Sequence, residues 1–277
     1  MNDSSYNLVV GDSPVLISIP HLGTSLPADI KAALTQTGAC VEDTDWHLDQ
    51  LYDFAAAAGA SMLTATLSRY VIDLNRPADG ASLYPGQTTT GLVPLETFHG
   101  EPVYLPGAEP DEAEIQRRVA RYWRPYHDEL AAQIAAIKKK HGFVLLWEAH
   151  SINSVLPRLF DGVLPDLNFG TFEDKSAAPA IGQALCAVAA ASPYSWVLNG
   201  RFKGGYITRH YGKPADHIHA VQLELAQHRY MDETAPFNYQ QERARTLQTV
   251  LARLLAMATE MATQTSYSTF SYHPTHS

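Results

Sequence analysis

The chain alternates short apolar runs with longer amphipathic segments, and this alternation most limits what it can fold into. PVLISIP, Pro14 to Pro20, is a continuous apolar run bounded by prolines, the pattern of a strand buried on both faces. Phe143 to Trp147 is a second such run, followed by Glu148-Ala149-His150-Ser151. Ser61 to Leu67, Tyr194 to Leu198 and His219 to Leu225 read as further strands, and Tyr70 to Leu74 as a short one. Helical patterns lie between them. Thr44 to Ala58 would place Leu48, Leu51, Tyr52 and Ala55 on one helix face. Asp111 to Lys140 opens on acidic residues and closes on three lysines, as the helix dipole favours, with Pro125 as a point of kinking or division. Ser176 to Ala191 and Tyr239 to Thr263 complete the set. Strands alternating with helices predict an α/β fold, a mostly parallel or mixed central sheet flanked by helices. No repeat or composition shift marks a linker, so residues 1–277 read as one catalytic domain with a loose polar tail over 266–277.

The 277 residues can bury a sizeable core, and 45% hydrophobic with 18% charged residues is a globular composition. A net charge of −9 argues against a nucleic-acid coat or a polybasic membrane module, because both need a cationic field. It leaves room for a small anionic substrate met by a few local arginines. Two cysteines, Cys40 and Cys186, are too few for a disulfide scaffold. No apolar run is long enough to span a bilayer, and the N-terminal MNDSSYNLVVGDSP lacks the basic and apolar regions of a signal peptide. The expected compartment is the cytoplasm.

In open α/β sheets, ligands gather beyond the carboxyl ends of strands. His21, the Glu148 to Ser151 segment and Glu224 all fall at or near such ends. His21 and His150 each follow a strand, and two imidazoles with one carboxylate would hold a zinc ion with a position open for water. The plainer alternative is two histidines hydrogen-bonded at loop starts. Asp45 and Asp49 in DWHLD would share a helix face as carboxylate candidates, or form a solvated acidic first turn. Glu148, two residues before His150 on a strand, points the same way and would bind metal or orient that imidazole. Glu224 sits in the apolar QLEL run, where partial desolvation would raise its pKa and suit it to move a proton. A structural salt bridge is the competing role. Arg69, Arg76, Arg201 and Arg209 cluster around loops, and arginine recognises carboxylates through paired donors. Gly80 to Glu109 is a long, weakly periodic segment of the kind that covers a site.

Seven stretches together resemble the N-formylglutamate amidohydrolase family: IPHLGTSLP from Ile19, DTDWHLDQLYDFA from Asp43, SRYVIDLNRP from Ser68, ETFHGEPVY from Glu96, WEAHSINSVLPRLFDG from Trp147, GRFKGGYITRHYG from Gly200 and HAVQLELAQHRYM from His219. The resemblance implies a zinc-dependent hydrolase with a fold similar to zinc carboxypeptidases. The implied reaction converts N-formyl-L-glutamate and water to formate and L-glutamate, the last step of one histidine-degradation route. It implies His21 and His150 as metal ligands and Glu224 as general base. Zinc carboxypeptidases carry a glutamate three residues after the first histidine, where this chain has Thr24. The acidic ligand must come from elsewhere, and Asp45 is favoured, with Asp49, His47 and Glu148 as rivals. Arg69, Arg76 and Arg209 are the expected partners of the substrate carboxylates and the oxyanion, with Asn75 on one carboxylate. The runners-up are a related zinc amidase or carboxypeptidase for another N-acyl amino acid, and a non-catalytic protein that binds an acidic metabolite.

Overall fold

The computed structural model describes residues 4–83 and 89–268. Among them, seven strands form one mixed sheet: β1 Tyr6–Val9, β2 Val15–Ile19, β3 Ser61–Ala65, β4 Val144–Ile152, β5 Leu167–Gly170, β6 Trp196–Leu198 and β7 Ile218–Ala226. Their spatial order is β1-β3-β2-β4-β7-β5-β6. The centre is parallel: β2 pairs with β3 and β4, and β4 with β7. Antiparallel pairings lie outside this block, β1 on β3 and β5 on β7. The helices are α1 Ala28–Ala33, α2 Gln36–Ala39, α3 Leu48–Leu51, α4 Phe54–Ala57, α5 Glu112–Arg118, α6 Arg124–His141, α7 Pro179–Ala190, α8 Tyr206–Tyr211 and α9 Gln241–Ser268.

The central strands are apolar on both faces because each face is covered. Val15, Ile17 and Ile19 of β2, Leu145, Trp147 and Ala149 of β4, and Val221, Leu223 and Leu225 of β7 pack against α7 and α9. The alternate residues Leu16, Val144, Leu146 and Ala220 pack against α6 and its neighbours. On this second face the period of two turns Glu148 and His150 of β4, and Gln222 and Glu224 of β7, the same way at the carboxyl end. A polar patch therefore opens where the helical cover stops.

Several elements depart from the sequence reading. Thr44–Ala58 is not one helix: His47 takes a left-handed backbone conformation (φ 59°) and only the short α3 and α4 form. Asp45 precedes α3 and is buried, whereas Asp49 is exposed, so they share no helix face. Tyr70–Leu74 is a fully buried irregular segment, not a strand. β4 runs five residues past Trp147, so His150 lies inside a strand and does not open a loop. The short strands β1 and β5 had escaped sequence patterning. The long helix is divided beside Pro125, which lies in the first turn of α6. A π-helical turn, Val119–Trp123, joins α5 to α6, with Arg124 N donating to Val119 O. The final helix reaches Ser268, into the segment expected to be a loose tail; 269–277 lie outside the described residues. Among the described residues, no helix is long and apolar enough to cross a membrane.

Candidate active site

Parallel register brings the site together. β2, β4 and β7 end on the same side of the sheet. His21 follows β2 by two residues, and in the β4–β7 ladder His150 stands opposite Glu224 and Glu148 opposite Gln222. Asp45 is delivered by the loop before α3, whose backbone is pinned when Asp45 N donates to His21 O at 3.0 Å. Ser151 N then donates to Asp45 Oδ2 at 3.2 Å. Among the described residues, one ligand atom from each of His21, Asp45 and His150 lies within 4.8 Å of the others, and all three residues are buried.

Each imidazole is held from behind. His21 Nε2 lies 2.7 Å from Asp73 Oδ1, and His150 Nε2 lies 2.9 Å from Glu148 Oε1. A carboxylate only accepts, so these nitrogens carry protons, as does His150 Nδ1 where it meets Asp45, and both Nδ1 atoms turn toward Asp45. His150 Nδ1 is 3.0 Å from Asp45 Oδ2. His21 Nδ1 is 3.7 Å from the same oxygen and, though buried, has no hydrogen-bond partner. Carboxylates behind metal-binding histidines fix tautomer and ring orientation in this way. Glu148 is in turn fixed by Thr208, whose N–H donates at 3.1 Å and whose hydroxyl also donates.

Four carboxylates share the buried region with the two imidazoles. Asp45, Asp73, Glu148 and Glu224 are all buried. Burial pushes the Asp45 carboxyl up, but the imidazoles of His150 and His21 outweigh it and hold it below the usual range. Burial pushes His150 down, yet Asp45 and Glu148 raise it well above an ordinary histidine. Burial is the leading cause for Glu224, whose pKa rises to about 8. The orphan lone pair on His21 and this surplus of buried carboxylate fit a small divalent cation bound by nitrogen and oxygen ligands.

A cleft open to solvent lies over these groups. Of the expected substrate ligands, Arg69, Asn75 and Arg76 line it, and so does Arg201. Arg69 donates to Asp73 Oδ2 at 2.6 Å and lies over the Phe98 ring, 4.8 Å from its centre. Arg69 Nε is buried without a hydrogen-bond partner. Arg76 donates to Thr90 O at 2.9 Å, to Thr90 Oγ1 at 3.1 Å and to Asn75 O at 3.0 Å. Asn75 accepts from Ile207 N at 2.9 Å and sets its amide nitrogen 3.1 Å from His150 Nε2. Arg209 is not among the lining residues. Its guanidinium lies over Phe172 and donates to Gly204 O and Leu83 O at 2.8 and 3.0 Å. Of the Gly80 to Glu109 segment, Thr89, Thr90 and Phe98 line the cleft, and residues 84–88 lie outside the described part.

The rival ligands are outside the His21–Asp45–His150 group. His47 donates through Nε2 to Phe237 O at 2.7 Å. Glu148 serves His150 from behind. Two contributors were missed in the sequence. Asp73 lies four residues after Arg69 in an irregular segment, and that spacing was its only signal. Gln222, two residues before Glu224, accepts from Gly205 N at 2.6 Å and sets its Nε2 3.4 Å from Glu224 Oε2.

Comparison with known proteins agrees with this picture. A sequence model described as N-formylglutamate amidohydrolase matches residues 13–231. Two curated proteins named N-formylglutamate deformylase, from Pseudomonas putida and Pseudomonas aeruginosa, are each 52% identical over 246 residues, covering 88% of this chain and 92% of their own. The crystal structure of N-formylglutamate amidohydrolase from Ralstonia eutropha shares the fold, with a TM-score of 0.76 at 24% identity over 96% of this chain and 98% of its own. A gene product from Agrobacterium tumefaciens shares it too, with a TM-score of 0.69 at 17% identity over 97% of each chain. With a family match over most of its length and two such relatives, the chain belongs to the N-formylglutamate amidohydrolase family.

Proposed function

We propose that this protein hydrolyses N-formyl-L-glutamate to formate and L-glutamate with a zinc ion held by His21, Asp45 and His150. The supporting observation is the buried His21–Asp45–His150 group beside Glu224, at the base of a cleft lined by Arg69, Arg76 and Arg201. Relatives at 52% identity carry the deformylase name. When bound, zinc supplies Lewis acidity toward water and the formyl carbonyl. The remaining work falls to the chain. Glu224, whose basicity burial raises, takes the proton of the attacking water as the C–O bond forms. It returns the proton to the amine nitrogen as the C–N bond breaks. Arg69, which lines the cleft, offers a donor to the oxyanion or a substrate carboxylate. Arg76 and Asn75 shape the same wall. We further assign the whole chain to one catalytic domain, the reaction to histidine degradation and the compartment to the cytoplasm.

Formate release from N-formyl-L-glutamate tests this, before and after chelation and with zinc added back. Release that chelation abolishes and zinc restores is expected. Undiminished release after exhaustive chelation would overturn the metal assignment. No release by folded, zinc-loaded protein would overturn the substrate assignment.

A further inference from the structure

Two buried atoms at the site lack partners, and they have opposite needs. His21 Nδ1 is a lone pair that wants a cation. Arg69 Nε is an N–H that wants an anion. Both residues are held by one carboxylate, that of Asp73, which is fully buried. Its Oδ1 accepts from His21 Nε2 at 2.7 Å and from Asn75 N at 2.8 Å. Its Oδ2 accepts from Arg69 Nη2 at 2.6 Å, with Arg76 Nη1 at 4.0 Å.

We propose that Asp73 is a positioning residue shared by the two halves of the site, one oxygen aiming His21 at the metal ion and the other aiming Arg69 at the substrate anion. It rests on the metal reading above and adds that cation and anion binding are set by one side chain. An ion pair that merely stabilised the fold would leave both affinities unchanged in a folded variant.

The two oxygens separate the roles. In Asp73→Asn, the amide oxygen is drawn to the side with two donors, His21 and Asn75. The amide NH2 then faces the Arg69 guanidinium, which loses its anchor. Asp73→Ala removes both supports. The probes are zinc, read by competition with a chromogenic chelator, and glutarate, a dicarboxylate of glutamate's length with no scissile bond, read by calorimetry on zinc-loaded protein. Thermal melting checks that each variant is folded.

Asp73→Ala is expected to weaken zinc about 10–100-fold, the usual effect of removing a partner behind a ligand. Asp73→Asn is expected to weaken zinc less than Asp73→Ala does, and glutarate by about tenfold or more, a fold-change of about 1.4 kcal/mol. Arg69→Lys is expected to weaken glutarate and leave zinc affinity unchanged. If Asp73→Ala does not fold, the other two variants decide. Folded Asp73→Asn with both affinities within twofold of wild type overturns the proposal, as does weakened zinc binding with unchanged glutarate affinity in the zinc-loaded variant. Wild-type protein that binds zinc but not glutarate overturns the anion half. Wild-type protein that binds no zinc overturns the metal reading and this proposal together. Zinc and glutarate binding that follow the expected pattern without formate release would uphold Asp73's role while the substrate assignment falls.

Discussion

His150 and Glu224 stand opposite each other in the ladder between β4 and β7, on neighbouring strands of a parallel sheet. Strand spacing, about 4.8 Å, therefore sets the separation between a metal ligand and the base. Neither group rides on a loop. Glu224→Gln keeps the shape and removes the proton acceptor. Zinc content is expected to be unchanged and kcat to fall by about 10²–10⁴-fold, the usual worth of a general base. Turnover near wild type in zinc-loaded Glu224→Gln would remove Glu224 from the mechanism.

Asp45 is the carboxylate that faces the Nδ1 atoms of both histidines. Asp45→Asn replaces a charged oxygen with a neutral one and leaves His150 Nδ1 a poorer partner. Zinc bound per chain, measured by atomic emission after gel filtration, is expected to drop well below one. Full occupancy would mean that another acid holds the metal.

Gln222 has its amide oriented by Gly205 N–H, which leaves its NH2 group toward Glu224. Gln222→Met removes that donor and leaves an N–H unsatisfied. We expect kcat to fall roughly tenfold, about 1.4 kcal/mol in the barrier, with KM little changed. A rise in KM alone would place Gln222 on the substrate.

Gly205 lies where a Cβ would sit 2.3 Å from Asn75 Nδ2. Asn75 is itself buried between Ile207 N and His150. Gly205→Ala must displace it, at a cost of about 1–3 kcal/mol, typical of overpacking. The urea midpoint measures this; a midpoint equal to wild type would show that the wall yields freely.

Two neutral histidines away from the site predict acid sensitivity. Burial pushes His127 down to about 3 and His219 down to about 4. His127 donates to Leu74 O at 2.9 Å and its Nδ1 lies 3.0 Å from Tyr211 Oη, so protonation places a charge in a buried pocket. Unfolded histidine titrates near 6.5, so below that pH the unfolded chain binds more protons. Their contribution is fully present above about pH 6.5 and is lost as pH falls toward the folded values. Each can contribute up to about 1.4 kcal/mol per pH unit in that window. Urea titrations from pH 7.5 to 4.5 should show this slope, and His219→Asn should flatten it. An equal slope in the variant would exclude His219.

The parts of the site on regular strands were legible because strand periodicity fixes direction. PVLISIP, the run before Glu148 and the QLEL run gave β2, β4 and β7, and with them His21, His150 and Glu224. The irregular segments hid the rest. Asp45 was one of four choices because DWHLD looks helical until His47 reverses the backbone. Asp73 lay in VIDLN, whose apolar residues suggested a strand but pack as a buried loop. Arg209 and Arg201 looked alike in sequence, yet Arg201 lines the cleft and Arg209, on α8, meets Phe172, Gly204 and Leu83. β5 has four residues and its pattern carries no period.

The π-helical turn between α5 and α6 is a phase adjustment. One extra residue in a helix rotates every later turn by about 100°. Before the π-turn, Arg118 donates to Val71 O at 3.1 Å; after it, His127 donates to Leu74 O at 2.9 Å. These two grips hold opposite ends of one short stretch, flanked by Arg69 on one side and Asn75 on the other, with Asp73 inside it. Removing one residue there would turn His127 by about 100° relative to Arg118. The angular timing of a helix that touches no ligand thus calibrates the spacing of the loop that does.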